Sequence, residues 1–71
     1  MEKETKIVLA IKGERAVYLF KREYEDFTEV EFVVGWTEGN PVVGDFVDGW
    51  ASGKYFGKLE DALGYLNNCK Y

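Results

Sequence analysis

The stretch Thr28-Glu29-Val30-Glu31-Phe32-Val33-Val34-Gly35-Trp36 has the clearest strand pattern in this chain of 71 residues. In an extended chain, successive side chains point to opposite faces of a sheet. The alternation therefore places Val30, Phe32, Val34 and Trp36 on one side, and Glu29 and Glu31 on the other. It predicts a β-strand with an apolar inner face and an acidic outer face.

Two further strands are predicted before this one, over residues 5–11 and 15–22, because both segments are rich in β-branched and aromatic residues. Gly13 and Glu14 separate them, and a glycine in a two-residue loop suits a tight hairpin because it tolerates positive φ. In that hairpin Lys12 faces Arg15. One buried face is then expected from six residues, Ile7, Leu9 and Ile11 opposite Phe20, Tyr18 and Ala16.

Turns are predicted on both sides of the third strand. Residues 23–27 pack three acids with Tyr24 and Phe27 into a short connection, which we expect to be a turn with partly exposed aromatic rings. Residues 37–41 form another turn by virtue of Gly39, Asn40 and Pro41. Residues 42–49 mix valines with glycines and acids, and this pattern leaves their structure open.

The chain closes with a fourth strand and a helix. Residues 50–56 are predicted as the strand, interrupted by Gly53, which marks a bulge or a close backbone approach. Over residues 58–67 an apolar stripe at helical spacing predicts a helix that lies on the sheet, with Gly57 as its cap, Glu60 reaching back to that cap, and a stop at Asn67 and Asn68. The stripe consists of Leu59, Ala62, Leu63 and Leu66.

These elements define the predicted fold class. It is α+β, an antiparallel meander of three to four strands with one C-terminal α-helix packed on one face, and residues 1–71 form a single domain. A chain this short buries a small core, so any site is expected to be shallow or shared with a partner.

The segment Gly53-Lys54-Tyr55-Phe56-Gly57-Lys58-Leu59-Glu60-Asp61-Ala62-Leu63-Gly64-Tyr65-Leu66 resembles the ending of many short bacterial and phage proteins. In those proteins a strand with Trp and Gly runs through a Tyr-Phe pair into a Leu-Glu-x-Ala-Leu helix. The similarity covers about a fifth of the chain, and Gly57 departs from the Asp, Ser or Thr expected at such a cap. The resemblance implies a sheet-plus-helix fold and a mobile-element origin, and it transfers no catalytic residue.

Composition narrows the functional classes. The apolar share of 46% and the aromatic share of 17% are typical of a folded chain. The longest apolar runs are far shorter than the roughly 20 residues that span a bilayer, and the first residues lack the apolar core of a signal peptide. With one cysteine, Cys69, no internal disulfide is possible. We therefore expect a cytoplasmic protein without a membrane partner.

The chain has few residues that are suited to catalysis or to metal binding. The chain has no histidine, which removes the commonest general base and the commonest neutral metal ligand. Cys69 is expected to be a half-exposed thiol near the end of the helix. Asp45 and Asp48, near Glu38 and Asn40, offer oxygen ligands for calcium, but their spacing does not match the twelve-residue calcium loop. We expect solvated turn acids here, and we predict no enzymatic activity, no metal and no cofactor.

Charge is unevenly distributed along the chain. Residues 1–22 carry six bases and three acids, residues 23–53 carry eight acids and no base, and residues 54–71 carry three bases and two acids. The bases of the first hairpin are candidates for binding nucleic acid, but the net charge of −4 opposes attraction to phosphates, so no direct nucleic-acid contact is expected. Charge of one sign on one face instead favours a partner of opposite charge.

The sequence therefore predicts a small non-enzymatic module whose acidic surface binds a protein with a basic surface. Basic sites are common on nucleic-acid enzymes. With the mobile-element origin that the resemblance implies, the concrete form is an inhibitor that occludes such a site on a host defence enzyme, functionally similar to the small acidic anti-CRISPR proteins. The predicted partner-binding residues are Glu23, Tyr24, Glu25, Asp26, Phe27, Glu29, Glu31, Asp45, Asp48 and Trp50.

One further prediction concerns the two tryptophans, and one alternative function remains. Trp36 is predicted to lie in the core and Trp50, beside two glycines, to be the more exposed tryptophan. The alternative function is a homo-oligomeric structural or regulatory module, in which a strand edge pairs with a second copy and the acids serve solubility only.

Overall fold

The computed structural model describes residues 2–37 and 39–68. Four strands form one antiparallel sheet in the order β1-β2-β3-β4, and a single helix follows them. Their bounds are β1 Lys3–Lys12, β2 Arg15–Glu23, β3 Thr28–Trp36, β4 Ala51–Phe56 and α1 Leu59–Asn67. The predicted α+β meander with a C-terminal helix is confirmed, and the element bounds agree with the predicted ones to within two residues.

The first hairpin departs from its predicted register. Lys12 pairs with Arg15 and Ile11 with Ala16, as expected, but the register shifts between Val8 and Ala10. Leu9 is the extra residue of this bulge, so Val8 lies opposite Tyr18. The predicted face with Ile7 and Leu9 opposite Phe20 and Tyr18 is therefore wrong, because one inserted residue exchanges the faces of the strand before it.

The helix covers one face of the sheet, which we call the helix face. Val17 and Val34 are fully or almost fully buried there against Ala62 and Leu66, with Phe32 and Leu63 packed around them. This arrangement confirms the apolar inner face predicted for β3 at Phe32 and Val34. Val30 on the same face is 42% exposed, and Val33 is buried on the face predicted to be acidic. At its end the helix lies beside the first hairpin, where the Lys12 Nζ donates a hydrogen bond of 2.6 Å to the Asn67 carbonyl oxygen.

The start of the helix differs from the prediction. Lys58, not Gly57, is the N-cap residue, and no side chain makes a capping hydrogen bond. Glu60 and Asp61 do lie in the first turn, where they stabilise the positive end of the helix dipole. Asn68 is the C-cap, so the predicted stop at Asn67 and Asn68 is confirmed.

The opposite face is covered by the connection between β3 and β4. We call residues 41–50 the strap and this face the strap face. The strap reaches the outer edge of β1, where the Val8 N–H donates to the Asp45 carbonyl oxygen and the Val47 N–H donates to the Lys6 carbonyl oxygen, each at 3.0 Å. Residues 42–49, whose structure the sequence pattern left open, thus protect a strand edge.

Trp50 anchors the strap on the sheet. Its ring stacks on Tyr18 with centroids 5.0 Å apart and meets the edge of Phe20 at 5.5 Å. Val8, Ala16, Tyr18 and Val33 form the buried cluster beneath it. Trp36 is also half-buried, under the Arg15 guanidinium at 4.6 Å. The predicted contrast between the two tryptophans is therefore wrong, because the strap brings Trp50 back onto the core.

Gly53 explains how the strap and β4 fit together. A Cβ atom at this position would lie 2.4 Å from the Trp50 Nε1 and 2.8 Å from the Val33 Cγ1. The adjacent Ser52 has φ of 53°, and the pairing of β3 with β4 shifts by one residue here. Of the two alternatives predicted for Gly53, the bulge is confirmed, and the groups that approach this glycine closely are the side chains of Trp50 and Val33.

Candidate protein-binding site

The sheet has two unlike ends. At one end the helix and the strap cover both faces, and we call this the closed end. A helix of nine residues is about 14 Å long, whereas strands of nine or ten residues extend about 30 Å, so the helix covers only about half of the sheet. The other half, formed by residues 2–6 and 20–31, is the open end, and the strap reaches only its boundary, at Lys6 and Phe20.

The open end carries most of the predicted binding residues. β1 starts there, with Lys3 opposite Glu23 and Glu4 opposite Arg22, and the turn from β2 to β3 lies beside it. Seven acids and four bases gather in this region. The acids are Glu2, Glu4, Glu23, Glu25, Asp26, Glu29 and Glu31, and the bases are Lys3, Lys6, Lys21 and Arg22.

The turn itself combines acids with two aromatic rings. Tyr24 and Phe27 stack at 4.5 Å, and the Tyr24 N–H donates to the Phe27 carbonyl oxygen at 2.9 Å. Phe27 remains 52% exposed, and Glu25 and Asp26 at the tip are exposed as well. A shallow depression of about 330 Å³ lies here, lined by Glu2, Tyr24, Glu25, Asp26 and Phe27. The predicted turn with partly exposed aromatic rings is confirmed.

The two glutamates of β3 share a single cation. On the strap face the Arg22 Nη2 lies 2.7 Å from a carboxylate oxygen of Glu29 and 3.5 Å from one of Glu31. The guanidinium also lies over the Phe20 ring at 4.8 Å. Arg22 thus offsets part of the acidity that the sequence places on this strand, and two carboxylates against one guanidinium keep the excess negative.

Lys6 joins this group to the strap. Its Nζ donates to the Asp48 carbonyl oxygen at 3.0 Å and lies 3.9 Å from a Glu4 carboxylate oxygen. The same ammonium lies 5.6 Å from the centre of the Phe20 ring. On the helix face, Lys21 pairs with Glu23 at 3.4 Å. The bases of the first two strands are therefore interleaved with the acids.

Three predicted site residues lie away from the turn. Asp45, Asp48 and Trp50 belong to the strap, where the Asp45 Oδ2 accepts a hydrogen bond of 3.0 Å from the Val42 N–H and holds the strap's turn. Trp50 packs on the core. Glu38 and Cys69, which the sequence analysis also considered, lie outside the described residues. The structure thus brings together Glu23, Tyr24, Glu25, Asp26, Phe27, Glu29 and Glu31, and it separates the strap residues from them.

Tyr24 is influenced by the same acids. Partial burial raises the pKa of its hydroxyl above the usual value, and the Glu2 carboxylate, which accepts its hydrogen bond, and the charge of Glu29 raise this pKa further, while Arg22 lowers it. Glu2 and Glu4 were missed by the sequence analysis. The signal available was the register of the first hairpin, which places residues 3 and 4 beside residues 23 and 22.

A second depression lies away from the open end. A groove of about 510 Å³ lies at the closed end, between the first hairpin turn and residues 36–37 and 39–41, and its walls include Ile11, Glu14 and Trp36. Within residues 2–37 and 39–68, no three His, Cys, Asp or Glu side chains are placed to hold a metal ion. In the same part of the chain, no helix has the length and apolar character needed to cross a membrane.

Comparisons of this chain with protein-family models, with curated proteins and with solved structures find no match. Function is therefore inferred from the geometry and the charge of the chain itself.

Proposed function

We propose that this protein is a protein-binding module that uses its open end to bind a basic surface of a partner. The observation that carries the proposal is the acidic, aromatic turn at residues 23–27, which neither the helix nor the strap covers. Phe27 stacks on Tyr24 and is still 52% exposed. Aromatic side chains are enriched at the centres of protein interfaces. The surrounding acids supply charge complementarity and steer the approach of a basic partner.

The proposed finer form of this function is inhibition by occlusion. A partner that handles nucleic acid has a basic channel, and carboxylates of the open end would take the positions that phosphates occupy there. The excess of seven acids over four bases is modest beside the charge density of a duplex. Binding is therefore expected to depend on a few contacts around Phe27, with charge setting the orientation and the rate of association.

Charge reversal tests the proposal. The variant carries Glu25→Lys, Glu29→Lys and Glu31→Lys at the open end. Its matched control carries the same change of charge at exposed acids elsewhere, Glu14→Lys, Glu60→Lys and Asp61→Lys. Tagged wild type and both variants are used to capture proteins from a lysate of the source cells at low and moderate salt, with circular dichroism as the check of folding.

The open-end variant is expected to lose a basic partner that the wild type and the control variant retain, and moderate salt is expected to weaken that capture. The captured partner is then titrated with each purified variant to obtain dissociation constants. Equal affinity of the open-end variant and the wild type would overturn the proposal and leave the acids a role in solubility.

A further inference from the structure

The outer edge of β3 is only half paired. β4 pairs with β3 from Phe32 to Trp36, and its last residue, Phe56, lies opposite Phe32. After Phe56 the chain turns into α1, so residues 28–31 have β2 as their neighbour on one side and no described strand on the other. We call the outer side of residues 28–31 the open edge.

The direction of the backbone groups at this edge follows from the ladder. In an antiparallel pair, residues that exchange hydrogen bonds alternate with residues whose N–H and C=O groups point away from the partner strand. The Tyr24 N–H donates to the Phe27 carbonyl oxygen and the Thr37 N–H donates to the Glu14 carbonyl oxygen. Both contacts belong to the same register as the β2–β3 pairs, so the odd-numbered residues of β3 bond to β2.

The even-numbered residues of β3 consequently point outward. Phe32 and Val34 face β4, and the N–H and C=O groups of Thr28 and Val30 face the open edge. Both of these residues are exposed, and Val30 has 42% of its surface accessible. Unpaired strand edges of this kind accept a further strand, as in peptide recognition by strand addition.

The two faces beside the open edge have different chemistry. On the helix face, Val30 is exposed and Leu59 at the start of the helix is 39% exposed. On the strap face, the side chains of Glu29 and Glu31 remain about 40% exposed even with Arg22 between them. A strand laid along this edge meets apolar side chains on one face and carboxylates on the other.

We propose that the open edge binds an extended segment of the partner as an added antiparallel strand in which basic and apolar side chains alternate. The inference rests on the proposed function and specifies its partner. The apolar side chains would lie opposite Val30 and Thr28, and the basic side chains opposite Glu29 and Glu31. A second copy of this chain is a poor occupant, because self-pairing centred on Val30 places Glu29 opposite Glu31 of the other copy, and like charges directly opposite are destabilising.

The test uses a capped heptapeptide, Lys-Val-Lys-Val-Lys-Val-Lys, and a control peptide of the same composition in block order, Lys-Lys-Lys-Lys-Val-Val-Val. Calorimetry or fluorescence anisotropy measures binding to the wild-type protein at moderate salt. The alternating peptide is expected to bind at least about tenfold more tightly than the block peptide, since only the alternating order matches both faces of the edge. Equal affinity of the two peptides would overturn the proposal.

Backbone N-methylation makes the test specific for strand addition. In the proposed pairing, the peptide's valine N–H groups point at the open edge and its lysine N–H groups point away from it. Methylation of the valine nitrogens is expected to weaken binding by about tenfold or more, whereas methylation of the lysine nitrogens should leave most of it. Equal loss from both modifications would overturn the proposal.

A protein variant completes the test. Val30→Pro removes an outward N–H and leaves the hydrogen bonds to β2 in place, while Val30→Thr keeps that N–H as a control. Loss of peptide binding in the first variant and its retention in the second is expected, with circular dichroism confirming that both are folded. If charge reversal at the open end abolishes partner capture while valine methylation and Val30→Pro change nothing, docking by charge stands and strand addition fails.

Discussion

The closed end and the open end of the sheet share strands β1 to β3, but only the closed end has β4 and a layer on each face. At the closed end, Val17 and Val33 are fully buried on opposite faces, one under the helix and the other under the strap. At the open end the sheet is a single layer, whose side chains interact mainly through ion pairs and stacked rings such as Arg22 with Glu29 and Tyr24 with Phe27. Stability therefore belongs mainly to the closed end, and the turn of the open end at residues 23–27 is left uncovered by the helix and the strap.

Removing Trp50 should have the largest effect on the closed end. Trp50→Ala deletes the ring that stacks on Tyr18 and leaves a gap beneath the strap, so we expect a loss of about 3 kcal/mol in the free energy of unfolding. Trp36→Ala, which removes a half-buried ring under Arg15 outside both buried clusters, should cost about 1 kcal/mol.

Chemical denaturation monitored by circular dichroism gives the free energy of unfolding of both variants. Tryptophan fluorescence is not used, because both substitutions change it. A loss from Trp36→Ala as large as that from Trp50→Ala would contradict the assignment of Trp50 as the anchor of the strap. Because Trp50 supports the fold, weaker partner binding by Trp50→Ala would not by itself assign it to the interface.

Two glycine substitutions compare a position with no room for a Cβ atom, Gly53, with a position that has room for one, Gly64. Gly53→Ala pushes a Cβ against the Trp50 ring and Val33, so we expect a loss of about 2 kcal/mol in the free energy of unfolding. Gly64→Ala meets nothing within 4 Å and removes a helix-weakening glycine, so a gain of up to about 1 kcal/mol is expected. The same denaturation experiment measures both variants. An unchanged free energy of unfolding in Gly53→Ala would contradict the close packing of Trp50 against Gly53.

The sequence predicted what depends on local periodicity. Alternation in residues 28–36 and the spacing of Leu59, Ala62, Leu63 and Leu66 were enough to predict β3 and α1, because both patterns are local. That β3 also buries Val33 on its other face depends on the strap. The bulge at Leu9 was not predicted, since neither glycine nor proline marks it. The strap was not predicted either, because its structure depends on hydrogen bonds to β1, more than thirty residues earlier in the chain.

In the candidate site, too, local features were predicted and features that depend on strand pairing were not. The acidic turn at residues 23–27 was visible in the sequence as a local cluster of charge. The neutralising role of Arg22 and the contribution of Glu2 and Glu4 depend on which strands are neighbours, and the open edge depends on where β4 ends. Segregation of charge along the chain therefore overstated the segregation of charge on the folded surface.

The smallest predicted effect concerns Tyr24, which reports on the acids of the open end. Because partial burial and the Glu2 carboxylate raise its pKa, the fold favours the neutral phenol over the phenolate. This contribution to stability is fully present below the unfolded-state pKa of about 10 and is lost as the pH rises through the higher pKa of the folded state. NMR titration of the tyrosine ring carbons should place the pKa of Tyr24 above the value that the same residue shows in urea, and Glu2→Gln should reduce the difference without abolishing it, since burial also raises this pKa. Measured against Tyr24→Phe, the free energy of unfolding of the wild type should fall only above about pH 10. In the NMR titration, a folded-state pKa at or below the unfolded value would mean that the acids around the turn do not act on this ring.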